Sequence, residues 1–230
     1  MPLPFIAIAA GVVTLVGAGA TAVYSYLKKD DELSTNKAHS LGTFVIWGRP
    51  NVGKTTFIAR LRGEPPKSKQ KTATTSRVEY KDVHLRVIDG VPMVINRIID
   101  MPGTDDRLND WLALAVANEH IFYLVDLSRL RAREYASVVR RDLEATVGKL
   151  RELRKSKRIN IICSHVDESD WKSLKNDPNL GNIIQSDDGI RYVYESLNRE
   201  GVAGYFYFSD LTDNDSFKHL LKSIVNDCHA

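Results

Sequence analysis

Cysteine is scarce: Cys163 and Cys228 are the only two in 230 residues, and they form no CxxC pair. That argues against a disulfide-framed scaffold and against a structural zinc site. The six histidines form no HExxH pattern, so that zinc-hydrolase signature is missing as well. No charge sign dominates. Lys and Arg total 32 against 29 Asp and Glu, a formal net charge of +3, which is too small to argue for a nucleic-acid partner. There is no low-complexity stretch, and 43% hydrophobic with 27% charged residues is ordinary for a globular chain. The length suits one well-cored domain with about 30 to 40 residues to spare.

Charge is missing altogether from Pro2 to Leu27, where the run FIAIAAGVVTLVGAGATAVYSYL is long enough as a helix to cross a bilayer once. Three readings compete. A transmembrane anchor fits the length, the tyrosines Tyr24 and Tyr26 near one end, and the charges that begin at Lys28 and Lys29. A cleaved signal peptide would use the small residues Ala20 and Ala22 but has no basic leading region. A buried core helix needs a domain centre able to hold the whole uncharged run. The anchor is the favoured reading, with residues 3–26 in lipid. Because the positive residues follow the run, a single-pass protein with its large domain on the cytoplasmic side is expected.

Residues 28–40, KKDDELSTNKAHS, carry no apolar stripe and read as a polar tether between an anchor at 1–27 and a domain at 41–230. From Leu41 the pattern is α/β. TFVIW (43–47) is a short apolar strand that runs into a glycine-bearing loop and a helix starting near Lys54. Residues 63–76, with Pro65 and Pro66, form a long loop. Strands at 77–88 and 93–99 are joined at Asp89-Gly90, a hairpin turn. A helix over 107–119 leads to the strand 121–125. In 133–155, Ala136, Val139, Leu143, Val147 and Leu150 recur at helical spacing on one face. Then come a strand at 159–164, a stretch at 168–186 that is mostly loop, a helix at 187–199, a strand at 205–208 and a helix at 215–227. This alternation predicts a mostly parallel six-stranded sheet with one antiparallel strand and helices on both faces.

Gly48-Arg-Pro-Asn-Val-Gly53-Lys54-Thr55 matches GxxxxGK[ST] between a strand and a helix, the context that motif requires. Backbone N–H groups of such a loop point at phosphates, Lys54 supplies a cation, and the Thr55 hydroxyl can ligate magnesium. Asp100-Met-Pro-Gly103 ends a second strand, where an acidic residue holds magnesium through water and the glycine N–H can reach a terminal phosphate. Ser164-His-Val-Asp167 closes the strand INIIC. A carboxylate there can accept hydrogen bonds from the N1–H and 2-amino groups of guanine, a pattern adenine cannot offer.

With these residues in place, 41–230 resembles the translation-factor-like class of small GTPases, which includes the Ras, Arf, Era and septin-like families. The string GRPNVGKTT looks most like the Era and Der type. The resemblance implies GTP or GDP with Mg2+ as ligands. It makes Gly48, Asn51, Val52, Gly53, Lys54, Thr55 and Thr56 the phosphate loop, and Gly103 the γ-phosphate contact. It makes Ser164, His165 and Asp167 the fourth motif, normally [NT]KxD, and Ser209 the start of the fifth, normally SAK. A threonine in 63–76 is implied as a magnesium ligand beside Thr55 and Asp100. Thr72, Thr74 and Thr75 are the candidates, and Thr75 is preferred. By this resemblance Lys54, Thr75 and Gly103 are the groups acting on the transferred phosphate. Asn51 stands where Era-like proteins help to hold a potassium ion, so K+ is a further candidate cofactor. The alternative is that it braces its own loop.

The sequence departs from the pattern at Ser164 and His165, and beyond Ser209. Thr104 stands where Ras-like proteins carry the glutamine that orients water, so slow intrinsic hydrolysis or an activating protein partner is expected. An anchor ahead of such a domain also resembles, in layout alone, the beta subunit of the signal-recognition-particle receptor. Two functions therefore stay open: a membrane-tethered GTPase switch, or a GTP-bound scaffold or receptor subunit with little turnover. Arg129–Arg158 holds eleven basic and four acidic residues. A solvated helix face is the plain reading and contact with anionic lipid the alternative.

Overall fold

The computed structural model describes residues 38–66, 76–88, 91–155, 157–175, 177, 179–187, 191, 195 and 205–229. In chain order the elements are β1 (His39–Ser40), β2 (Thr43–Gly48), α1 (Lys54–Leu61), β3 (Val78–Ile88), β4 (Val91–Asp100) and α2 (Leu108–Ala117). They continue with β5 (His120–Asp126), α3 (Arg133–Glu152), β6 (Ile159–Ser164), α4 (Leu180–Ser186), β7 (Phe206–Phe208) and α5 (Asn214–His229). The run 1–27, the tether up to residue 37, the threonines Thr72, Thr74 and Thr75, the Asp89-Gly90 turn and most of the expected 187–199 helix lie outside the described residues. Among the described residues no helix is long and apolar enough to cross a membrane.

The sheet has seven strands rather than the expected six, with β3 antiparallel to β4 and every other pairing parallel. The extra strand is the start of β2. His39 opposes Met93 and Thr43 opposes Arg97, the same offset along β4. The ladder continues between them through Leu41 N–H to the Val94 carbonyl (2.8 Å) and Asn96 N–H to the Gly42 carbonyl (2.9 Å). Gly42 interrupts it because its φ is +73°, a left-handed kink. Seven strands thus fill six positions, in the order β3, β4, β2, β5, β6, β7.

Helices cover both faces, so the central strands are buried throughout. All six residues of β6 are buried, as are five of the six in β2. Phe44, Trp47, Phe57, Trp111, Phe122 and Tyr123 are the largest fully buried side chains. The α3 stripe packs as its spacing predicts, with Val139, Leu143, Val147 and Leu150 buried. The same face also buries Asp142 and Thr146, which apolar periodicity does not reveal. Because β2, β4, β5, β6 and β7 run in one direction, Gly48, Asp100, Asp126, Ser164 and the Ser209 turn all emerge at one end of the sheet. That end is where open α/β sheets bind ligands.

Candidate functional site

The loop leaving β2 turns through two left-handed positions, Asn51 (φ 65°) and Gly53 (φ 85°), before α1 begins at Lys54. No side chain caps that helix, so its first N–H groups face the loop's concave side. Lys54 is buried and donates to the carbonyls of Gly48 (2.8 Å) and Arg49 (3.0 Å). Burial lowers its pKa to about 8, with Arg49 adding to the fall and the Asp100 carboxylate opposing it. Thr55 and Thr56 follow on the first helical turn, half-buried, and the Asn51 side chain is exposed.

The third motif presses against this loop. A β-carbon at Gly103 would lie 2.6 Å from the Gly48 carbonyl oxygen and 2.7 Å from the Arg49 carbonyl carbon and the Pro50 nitrogen, so only glycine fits. Trp47 donates from its indole N–H to the Pro102 carbonyl (3.0 Å), and Met101 N–H bonds the Ile46 carbonyl (3.1 Å). Asp100 is buried, in the field of the Lys54 ammonium, and its Oδ1 makes no hydrogen bond among the described residues. The hard oxygen donors here are the Thr55 hydroxyl and the Asp100 carboxylate. They fit magnesium, which keeps several waters and takes further ligands from phosphate. Thr104 is exposed, just past the contact.

The fourth motif touches the loop from the other side. Ser164 is buried, with its Oγ 2.9 Å from the Val52 carbonyl, 3.1 Å from the Val125 carbonyl and 2.8 Å from His165 Nδ1. One hydroxyl proton serves both carbonyls, so the set is satisfied when Nδ1 carries a proton and donates to Oγ. His165 adopts a left-handed backbone (φ 57°) and carries its ring beside Gly53, where Cε1 lies 3.8 Å from a β-carbon built there. Asp167 sits half-buried in the 3-10 turn Val166–Glu168. Burial pushes its carboxyl above the usual range, and the nearby charge of Asp210 pushes it further.

Asp210, whose role was missed in the sequence, folds back on its own turn and accepts from Thr212 N–H (2.8 Å), the Thr212 hydroxyl (2.6 Å) and Asp213 N–H (3.3 Å). Ser209 N–H bonds the Cys163 carbonyl (3.0 Å), and Leu211 packs over Gly53, 2.9 Å from the position of a β-carbon there. The structure therefore brings together Gly48–Thr56, Asp100–Gly103, Ser164–Asp167 and Ser209–Leu211. A buried set beneath the loop, made of Arg49, Tyr123 and Asp142, was also missed: Arg49 occupies a variable position of the motif, and Asp142 lies ninety-three residues away.

A phosphate-binding loop, an acidic strand end and a base-side turn gathered at one edge of such a sheet define a phosphate-loop GTPase of the Ras- and Era-like fold. Residues 43–185 match the 50S ribosome-binding GTPase family, and the chain belongs to it.

Proposed function

We propose that this protein is a membrane-tethered GTP switch that binds GTP with magnesium and turns it over slowly. The observation that carries the nucleotide part is the contact of Gly103 with Gly48, Arg49 and Pro50. It puts the third motif and the phosphate loop where both can meet one terminal phosphate. Lys54, Thr55 and Asp100 take the phosphate and magnesium roles, and Thr75 completes the metal's ligands. Asp167 reads the base, with Ser164 and His165 shaping that side of the pocket. When bound, magnesium neutralises charge on the phosphates; the protein's own part is to position them.

Thr104 supports slow turnover, because a threonine hydroxyl is a poor substitute for a carboxamide in orienting water. Asn51, exposed at a left-handed position within the phosphate loop, supports a potassium ion that supplies part of the missing help. The altered fourth motif and Thr104 also favour the second reading, a GTP-bound receptor or scaffold with little turnover. Single-turnover hydrolysis by the full-length chain, in matched potassium and sodium chloride, separates them. The switch predicts hydrolysis that is faster in potassium, and the scaffold predicts none in either salt.

Membrane tethering rests on the uncharged run at 1–27, and the placement of charge on the domain supports it. The chain enters β1 at the end of the sheet opposite the nucleotide site, and the turn from α3 to β6 lies toward that same end, two strand positions or about 10 Å sideways across the sheet. That turn exposes Arg151, Arg154, Lys155 and Arg158 around Leu153, which is 42% exposed and is the exposed large hydrophobic residue of the described part. Cations around an apolar side chain suit an anionic headgroup layer. The protein should stay with membranes through alkaline carbonate washing, and release by that wash would contradict the anchor.

A further inference from the structure

We propose that Arg49 and Asp142 are positioning residues that hold the phosphate loop in its nucleotide-accepting shape from beneath, without touching the nucleotide. The proposal rests on the GTP-binding reading above. Arg49 is the first variable residue of the loop, yet its side chain turns inward and is 9% exposed. Its Nη2 lies 2.5 Å from Oδ1 of Asp142, a carboxylate on α3 with no exposure at all. The Tyr123 hydroxyl on β5 donates to the other oxygen at 2.8 Å. Arg141 approaches Oδ1 only at 3.5 Å and points outward, with half its side chain exposed.

The Arg49 side chain and carbonyl are thus both committed. The carbonyl accepts from Lys54 and the guanidinium donates to Asp142, so rotation of this residue would break contacts on both sides. The same carboxylate residue is tied to the third motif by a second route. The Asp142 carbonyl accepts from the Thr146 hydroxyl (2.8 Å), which accepts from the Trp111 indole N–H (2.9 Å). Trp111 stacks on Trp47 at 4.9 Å, and Trp47 donates to the Pro102 carbonyl. Both walls of the phosphate site, the loop and Pro102-Gly103, therefore stand on one buried residue of α3.

A buried ion pair is poor evidence of stabilisation, since two apolar residues of similar size often serve a fold equally well. Its geometry is what an apolar pair cannot supply. A residue held at its carbonyl by Lys54 and at its guanidinium by Asp142 fixes the loop's first turn before any phosphate arrives. Fixing a site in advance lowers the ordering cost of binding. Once bound, the phosphates impose the same shape, so the effect falls on affinity and not on the chemical step.

The test compares full-length parent protein with R49M/D142L, which strands no buried charge, and with Y123F, which only loosens Asp142. Melting temperature, fluorescent GTP and GDP dissociation rates, and single-turnover hydrolysis at saturating GTP are measured for each. The expected result for R49M/D142L is a parent-like melting temperature, dissociation of both nucleotides about tenfold faster, and saturated hydrolysis within about twofold of the parent. Y123F should show a smaller rise, about threefold, and carries the test alone if the double variant does not fold. A purely structural pair would leave dissociation unchanged at equal melting temperature. Dissociation rates matching the parent in the folded variants overturn the proposal. A parent chain that binds no GTP is a distinct failure, visible before any variant is compared, and it overturns the GTP-binding reading as well.

Discussion

The phosphate half and the base half of the site are built under different constraints. In the phosphate half, backbone packs on backbone: a β-carbon at Gly48 would meet the Leu124 carbonyl at 2.4 Å, and one at Gly103 the Gly48 carbonyl at 2.6 Å. Neither neighbour can move aside, so the residue types are forced. In the base half the contacts come from side chains. A serine hydroxyl reaches Val52 and Val125, a histidine ring lies beside Gly53, and Asp210 closes its own turn. Side chains can be exchanged for others that reach the same atoms. The phosphate half therefore keeps the GxxxxGK[ST] and DxxG patterns, while the base half departs from [NT]KxD and SAK.

The largest expected effect lies in the phosphate half. K54A removes the lysine that bonds the Gly48 and Arg49 carbonyls and, on the proposed function, the cation that meets the phosphates. GTP affinity should fall at least about a hundredfold, or about 2.7 kcal/mol, by equilibrium titration with fluorescent nucleotide. A fall of under threefold would show that the loop holds phosphate without its lysine and would erase the difference between the two halves. D167N comes next and acts on the base half alone. Replacing one acceptor oxygen by a donor should cost GTP about tenfold or more and leave weak ATP binding unchanged. Equal loss for both nucleotides would mean that the substitution disturbs the fold instead of base reading.

Much of the phosphate half was legible in the sequence because its constraints are local. A strand, a glycine-rich loop and a helix lie consecutively, and spacing alone identifies them. The six sheet positions were legible for a similar reason, since buried parallel strands are continuous apolar runs such as INIICS. The two-residue β1 was not, because a kink at Gly42 interrupts a ladder that a sequence window cannot see. Nor was Asp142. On an amphipathic helix a carboxylate in the apolar stripe reads as a stray polar residue until Arg49 and Tyr123, distant in sequence, are folded against it. Asp210 was legible only as the residue after Ser209 that departs from SAK, because its work is local turn closure, for which many residues serve.

Smaller effects sharpen the comparison. S164A removes one hydroxyl that joins the loop to β5 and to His165. A single buried hydrogen-bonding group contributes about 1 kcal/mol, so nucleotide affinity should drop roughly fivefold, with His165 losing its acceptor. An unchanged affinity would show that the serine is only a filler.

The smallest and most distinctive effect is in pH. Phosphate binding needs Lys54 charged, and its pKa in the folded protein is lowered to about 8. GTP affinity should therefore decline as pH rises through about 8. Base reading needs Asp167 ionised, and its pKa is raised by burial and by Asp210. Affinity for GTP should thus also decline on acidification, starting above the usual carboxylate range. The sign is opposite for folding at Asp167: with its pKa raised in the folded state, the charged form opposes folding, and acidification through that pKa relieves the opposition while it weakens base reading. Affinity titrations from pH 5 to 9 should show both limbs for GTP. The acid limb should vanish in D167N, and an acid limb that survives would assign it to another group.

The central claim is that one end of this sheet binds a guanine nucleotide, with Lys54 and the loop on its phosphates and Asp167 on its base. Nucleotide retention by the purified full-length chain, with GTP, GDP and ATP compared at equal concentration and with magnesium present, tests it most directly. GTP and GDP should be retained and ATP displaced by either of them. ATP retained as well as GTP would contradict the claim.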